Sequence, residues 1–372
     1  MAKNYVFKKK ALKMTTLRIV FDAGSRLELD GRYGTMHLME HLICKTFKDL
    51  YPQLSKLGIG WNAYTSSEQV EVYFSGLDKY LTADLKEELF KRITGGLKSV
   101  TKKEFESERN VVCQEYMDCV FDSDYASTMN VLRRWFGEYL AIGKLEDIQK
   151  FTHKDMVEVY EKHFRKPARI VEVGRAKTKF FESVEFKEVE KTNKHEHFRN
   201  HRSETFVNIA SDDKTPVFGI AKKMVSAKDY PYLSVGLDML TYGLESPFYI
   251  ELREKLGLTY YVQSAIHSYI NRGIVILKAC TGSDRADELI SKMKGLIANA
   301  KSMLTEERFE TVMSNLKISR EKADAVLYSN CGRYSTISKM KFPNNLDKID
   351  YGKVVNVTMK YLSGMVVLTA KD

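Results

Sequence analysis

Gly34-Thr35-Met36-His37-Leu38-Met39-Glu40-His41-Leu42 decides how this chain is read. It lies in a run with helical periodicity, predicted as a helix over 33–46 with Leu38, Leu42 and Ile43 facing a core. At about 100° per residue, His37 and His41 lie about 40° apart, with Glu40 about 60° to the other side of His37. One helical face therefore carries two imidazoles and a carboxylate. Two histidines a turn apart can hold a divalent ion at roughly 2.0–2.1 Å, and a carboxylate beside them can take a proton from water. The order His-x-x-Glu-His inverts the commoner zinc motif and is itself a zinc-peptidase signature. An amphipathic helix whose histidines are merely polar reads the same way, so the rest of the chain has to separate the two.

At 372 residues the chain is long for one core and suits two domains of about 180 residues each. A hydrophobic content of 44%, with 11% aromatics, is enough to bury sizeable cores, and the class is globular. The net charge of +10 invites a nucleic-acid partner. Lysine and arginine are interleaved with acidic residues, however, and no compact basic block with stacking aromatics occurs, which argues against one. The five cysteines, Cys44, Cys113, Cys119, Cys280 and Cys331, are odd in number, scattered and without a C-x-x-C pair. They read as mostly buried thiols in a reducing compartment. With no apolar run of about 18 residues and no apolar leader at the N-terminus, a cytoplasmic chain without a membrane partner is expected.

Outward from the motif, residues 17–23 alternate as a strand that Gly24-Ser25 breaks, and residues 69–76 form a second strand with Val70, Val72 and Phe74 on one face. Asn62, just before that strand, reads locally as a turn residue or as something more. Residues 77–99 are helical up to Gly95-Gly96. Thr101-Lys102-Lys103-Glu104 is a capping box opening a helix to about residue 120. Glu108 and Glu115 are seven apart on it, about 20° from eclipsed, and share one stripe. A solvated acidic face would look alike, although Val111 and Val112 put Glu115 beside apolar surface. A histidine pair needs a third ligand if zinc is to keep a position open, and Glu115 is a candidate, while Glu108 could orient a ligating histidine. Helices over 125–136 and 152–163 and a strand over 169–174 close this half.

Residues 177–203 are charge-dense and aperiodic, as a linker would be, and include a His195, Glu196, His197 and His201 cluster able to hold metal adventitiously. Beyond it come strands over 205–210 and 217–225 and a helix over 228–240. A helix over 246–257 follows, with Pro247 in its first turn and Gly257 as its stop. Strands over 259–266 and 273–280 and helices over 283–300 and 305–327 complete the chain. The order loosely repeats the first half without its His-x-x-Glu-His. The expected class is α+β, two homologous domains of mainly antiparallel sheet packed with helices: 1–176 with the metal motif, 177–203 as linker, 204–372 without the motif.

The chain resembles the insulinase, pitrilysin and mitochondrial-processing-peptidase superfamily of inverted-motif zinc metallopeptidases. The residues that carry the resemblance are Gly24-Ser25-Arg26, Gly34 to His41, Gly60-Trp61-Asn62-Ala63-Tyr64-Thr65-Ser66, and Glu108 to Glu115. It implies one zinc per chain on His37, His41 and Glu115, Glu108 behind a ligating histidine, and Glu40 as general base. It also implies that Asn62 and Ala63 open an edge strand that pairs with substrate backbone. In Leu252-Arg253-Glu254-Lys255-Leu256-Gly257-Leu258-Thr259-Tyr260, Arg253 and Tyr260 carry over as carbonyl- or oxyanion-stabilising groups. The implied activity is endopeptidase cleavage of short unstructured peptides, such as leader, signal or degradation peptides, in a chamber of four such domains. A homodimer, or a heterodimer with a related subunit, is then expected, with Arg253 and Tyr260 serving the partner's zinc. The alternative is a non-catalytic structural subunit of such a complex. After His41 the chain reads Leu42-Ile43-Cys44-Lys45-Thr46-Phe47, without the Lys-Gly-Thr common in relatives and with Cys44 one turn from His41.

Overall fold

The computed structural model describes residues 4–136, 140–190, 213–325 and 334–369. They form two compact units, each α+β. The first comprises Met1–Asp118, Tyr139–Lys194 and Glu321–Ile337, and the second Cys119–Glu138, His195–Arg320 and Ser338–Asp372. Neither is contiguous in sequence, because each takes a short segment from the other's stretch of chain.

The first unit is a five-stranded sheet in the order β1-β5-β2-β4-β3, built from β1 (Tyr5–Lys9), β2 (Met14–Phe21), β3 (Gly60–Thr65), β4 (Val70–Leu77) and β5 (Arg169–Gly174). All its pairings are antiparallel except β1 with β5. β2 is buried on both faces: Leu17, Ile19 and Phe21 are wholly buried, and Arg18 between them forms an ion pair with Glu71. Pairing is what makes that charge tolerable inside a sheet. β1 has no sequence signature, since Tyr-Val-Phe-Lys-Lys does not alternate; it is an edge strand, where lysines are at home. Helix α1 (Thr35–Lys45) buries Met36, Leu38, Met39, Leu42 and Ile43, each contributing on the order of 2 kcal/mol by removal from water. α2 (Tyr51–Lys56), α3 (Ala83–Thr94), α4 (Lys102–Phe121), α6 (Leu145–Ile148) and α7 (His153–His163) complete the unit, apart from the last residues of α4. The capping box that opens α4 is present: Thr101 N–H donates to Glu104 at 2.9 Å, and Glu104 N–H to Thr101 Oγ1 at 3.2 Å. Residues 177–190, read from sequence as linker, lie against this unit. Phe181 is wholly buried, and Lys187 N–H donates to the Pro167 carbonyl at 2.9 Å. The expected strand over 205–210 and the His195–His201 cluster lie outside the described residues.

The second unit takes α5 (Ser123–Phe136), where Lys278 Nζ donates to Thr128 Oγ1 at 3.0 Å. Its sheet joins β10 (Val366–Thr369), β6 (Lys214–Ile220), β9 (Arg272–Gly282) and the short β7 (Val225–Ser226), with β8 (Val262–Tyr269) on β9; every pairing is antiparallel. α8 (Tyr230–Thr241), α10 (Ala286–Ala298), α11 (Ala300–Met303), α12 (Glu306–Ala325) and α13 (Tyr351–Leu362) belong to this unit, apart from the last residues of α12. The helix expected over 246–257 is an α-turn, α9 (Pro247–Tyr249), followed by a π-turn over Ile250–Lys255, and it stops at Gly257 with φ 54°. α13 and β10 were not read from the sequence, although α13 has an N-cap: Asp350 accepts from Lys353 N–H at 2.7 Å. Their element order mirrors that of α7 and β5, so the repeat is closer than the sequence suggested. Among the described residues, no helix is long and apolar enough to cross a membrane.

Candidate metal centre

α1 turns its apolar face to the core, which leaves His37, Glu40 and His41 on the opposite side, where α4 brings Glu108 and Glu115. His37 Nε2 is 3.2 Å and His41 Nε2 3.6 Å from Glu115 Oε2. The three ligand atoms lie within 4.8 Å of one another, the only such group of His, Cys, Asp or Glu among the described residues. A divalent ion about 2.0–2.2 Å from each donor needs that spacing. The hydrogen bond with His37 holds the Glu115 carboxyl below its usual range, against the effect of burial. His41 Nδ1 is 3.1 Å from Glu108 Oε2, an arrangement that puts the proton on Nδ1 and the lone pair on Nε2, towards Glu115. His37 Nδ1 is buried without a hydrogen-bond partner among the described residues. The donor set fits zinc by type, number and separation, with its remaining carboxylate, Glu40, one residue from a ligand.

Two contacts here were not read from the sequence. Lys45 Nζ is 2.8 Å from Glu108 Oε1, so the carboxylate behind His41 is itself paired. Lys45 lies four residues after His41, on the same face, and that spacing was the available signal. Thr65 Oγ1 donates to Glu40 Oε2. Thr65 ends β3, and nothing in its local sequence points to a residue twenty-five positions earlier.

β3 is the edge strand of its sheet, and the resemblance placed Asn62 and Ala63 on such a strand. Asn62 is exposed, and its Oδ1 accepts from Ala63 N–H at 2.9 Å. Cys44 is half-buried; burial, with Glu40 and Glu108 near, pushes its thiol well up, so it stays protonated. The four cysteines among the described residues are half-buried rather than buried as expected, because helices α1 and α4 and strand β9 each leave them at a partly open face.

In the second unit Arg253 and Tyr260 are brought together. The guanidinium lies 4.7 Å from the Tyr260 ring centroid and 4.9 Å from that of Tyr249. Tyr260 is 78% exposed, and Tyr249, which was not singled out from sequence, is buried. Two rings holding one guanidinium fix its direction, and its Nε lies 3.8 Å from Glu254 Oε1.

Comparison with known proteins finds a family match for each half of the chain. Residues 6–136 match the model described as Insulinase (Peptidase family M16), and residues 150–316 that described as Peptidase M16 inactive domain. An uncharacterized zinc protease of Rickettsia bellii is 22% identical over 332 residues, covering 82% of this chain and 78% of its own. The mitochondrial-processing peptidase subunit beta of Homo sapiens is 30% identical over 174 residues, covering 43% of this chain but only 34% of that subunit. Among solved structures, a protease from Helicobacter pylori superposes with a TM-score of 0.80 at 18% identity, over 99% of this chain and 97% of that one. A peptidase M16 inactive domain from Pseudomonas fluorescens does so with a TM-score of 0.79 at 14% identity, over 98% and 94%. With the two models matched in order along its length, the chain belongs to the insulinase family of peptidases, peptidase family M16.

Proposed function

We propose that the chain is a zinc-dependent endopeptidase acting on short unstructured peptides, with one zinc held by His37, His41 and Glu115. The observation that carries this is the convergence of two imidazole nitrogens and a carboxylate oxygen next to a third carboxylate, Glu40. The chemistry a bound zinc supplies is Lewis-acid polarisation of the scissile carbonyl and the attacking water. Glu40 is the general base. Thr65 occupies Oε2, which leaves Oε1 to take the proton from the water and pass it to the leaving amine nitrogen. The open edge of β3 offers backbone groups to an extended peptide, with Asn62 as the side chain the substrate displaces from Ala63 N–H. Such pairing reads backbone more than side chain, which suits leader, signal or degradation peptides alike.

Arg253 and Tyr260 are assigned to the substrate carbonyl or the developing oxyanion. The proposal includes a dimer, either of two copies or with a related subunit, in which this pair serves the other chain's zinc. A reducing, cytoplasmic setting is the other part of it. Incubating a mixed peptide pool with the protein, with and without chelator, and reading the products by mass spectrometry tests the activity. Chelator-sensitive cleavage is expected, and an untouched pool would refute it. Mixing Glu40→Gln and Arg253→Ala chains tests the dimer. If the pair serves the other chain's zinc, both lesions of a mixed dimer fall in one site and the other site is intact, so activity should return, whereas lesions in separate sites would leave the mixture inactive.

The second reading, a non-catalytic subunit, is favoured by the inactive-domain description of the model that matches residues 150–316. That match begins after the last of the proposed ligands, and the donor set in the first half is complete. The same cleavage assay decides between the two.

A further inference from the structure

The first turn of α1 is held by a carboxylate that belongs neither to the helix nor to the ligand set. α1 opens at Gly34, whose backbone is left-handed at φ 96° and which has no side chain to cap the free N–H groups. The cap comes from Glu28. Its Oε2 accepts from Gly34 N–H at 3.0 Å and its Oε1 from Met36 N–H at 2.7 Å. Glu28 is 2% exposed, so both bonds form away from water, with the carboxylate at the positive end of the helix dipole. Met36 immediately precedes His37.

Glu28 is in turn fixed by its loop. Ser25 and Arg26 N–H donate to the Ser66 and Ser67 carbonyls at 3.1 Å. Gly24 lies so close to that turn that a Cβ would sit 2.2 Å from the Ser67 oxygen. Arg26 pairs with buried Asp22, whose Oδ2 accepts from Glu190 N–H at 2.7 Å. From the other side, Tyr33 N–H donates to Asp147 at 3.1 Å, and Gly143 is pressed against Gly34. The loop that caps the helix thus rests on the turn between β3 and β4, and β3 is the strand whose Thr65 holds Glu40.

We propose that Glu28 is a positioning residue of the zinc site: by capping α1 it fixes the backbone from which His37 reaches Glu115, so the first turn is ordered before metal arrives. The proposal rests on the zinc reading above. Its test is the zinc affinity of the full chain, measured by competition with a chromogenic chelator for wild type, Glu28→Ala, Thr82→Ala and His37→Ala, at a temperature where circular dichroism shows each folded. Thr82 caps α3, which carries no proposed ligand, by accepting from Leu85 N–H at 3.3 Å, and so controls for loss of a cap as such.

Glu28→Ala is expected to bind zinc about tenfold more weakly, the range seen when a ligand loses its support, with Thr82→Ala unchanged. If His37→Ala loses zinc but Glu28→Ala binds it as wild type does, the positioning role is overturned. If His37→Ala binds as wild type, the zinc reading itself has failed. Should Glu28→Ala not fold, hydrogen exchange on the wild-type chain takes its place. Coupling between cap and site is reciprocal, so zinc should slow exchange at Gly34 and Met36 N–H, and slowing confined to the later turns of α1 overturns the proposal.

Discussion

Helices α1 and α8 occupy the same place in the element order of their units, each the long helix that follows the unit's first two strands, yet they differ in what their faces carry. α1 keeps an apolar stripe of Leu38, Leu42 and Ile43 and devotes its other side to His37, Glu40 and His41, which α4 answers with Glu108 and Glu115. α8 is apolar nearly all round: Pro231, Leu233, Val235, Leu237, Met239 and Leu240 are all buried. Its Gly236 lies so near Thr358 of α13 that a Cβ would fall 1.8 Å from the hydroxyl. The one carboxylate within α8, Asp238, is pushed up to about 6 by burial, with no histidine answering it among the described residues. The same architecture therefore presents a candidate metal-ligand set when the helix is half polar and a packed core when it is not. In the second unit the residue proposed to meet substrate lies instead on the π-turn, where Arg253 sits over the rings of Tyr249 and Tyr260.

The strongest way to break this contrast is to neutralise one carboxylate in each helix. Glu40→Gln should lower peptide cleavage by about 10³-fold with zinc retained, whereas Asp238→Asn should leave the rate unchanged. Equal losses in a peptide-pool assay would erase the distinction. Next in size, Arg253→Ala should reduce kcat/KM by about 10²-fold without altering zinc affinity, as loss of an oxyanion donor does. A normal rate would leave the second unit with no part in the chemistry.

Acid should affect the two units in opposite senses. His163 in the first unit is held down to about 4 by burial, with Lys187 and Lys162 beside it. Its neutral form is the folded one, so its contribution is full above about 6.5 and is lost as pH falls towards about 4. Asp238 in the second unit is protonated more readily folded than unfolded. Its burial cost is full above about 6 and disappears below 3.8, so this unit gains as pH falls. Each effect is on the order of 2 kcal/mol. Hydrogen exchange at pH 7 and pH 5 should show β2 and β4 amides losing protection relative to those of β9, and Asp238→Asn should remove the second unit's share. Smallest of all, Thr65→Val should slow cleavage about fivefold through loss of one hydrogen bond to Glu40, with Thr65→Ser close to wild type and zinc affinity the same in both. If Thr65→Ser fails as badly as Thr65→Val, the hydroxyl is not what matters.

What was legible from sequence followed from short-range periodicity. His37, Glu40 and His41 share a face because 3.6 residues make a turn, and Glu108 and Glu115 because seven residues make nearly two. Turn and cap chemistry placed the start of α4 and the stop at Gly257 for the same local reason. That the Glu115 and histidine stripes face each other came from resemblance, and the structure gives it as a distance. β1 and β10 escaped because short edge strands carry weak patterns, and they take their form from the β5 and β6 partners, whereas α13 did carry a signal, the Asp350 cap and the apolar stripe of Val354, Val357, Tyr361 and Leu362.

By itself the sequence determined the α+β class, the ionisable face of α1 and the paired carboxylates of α4, since each depends only on residues a few positions apart. Only the tertiary structure decided that α5 joins the second unit, that Thr65 holds Glu40, and that Glu28 caps the helix bearing His37. Those contacts join residues whose spacing in the chain obeys no helical or strand period, and a pairing of that kind is settled by packing alone.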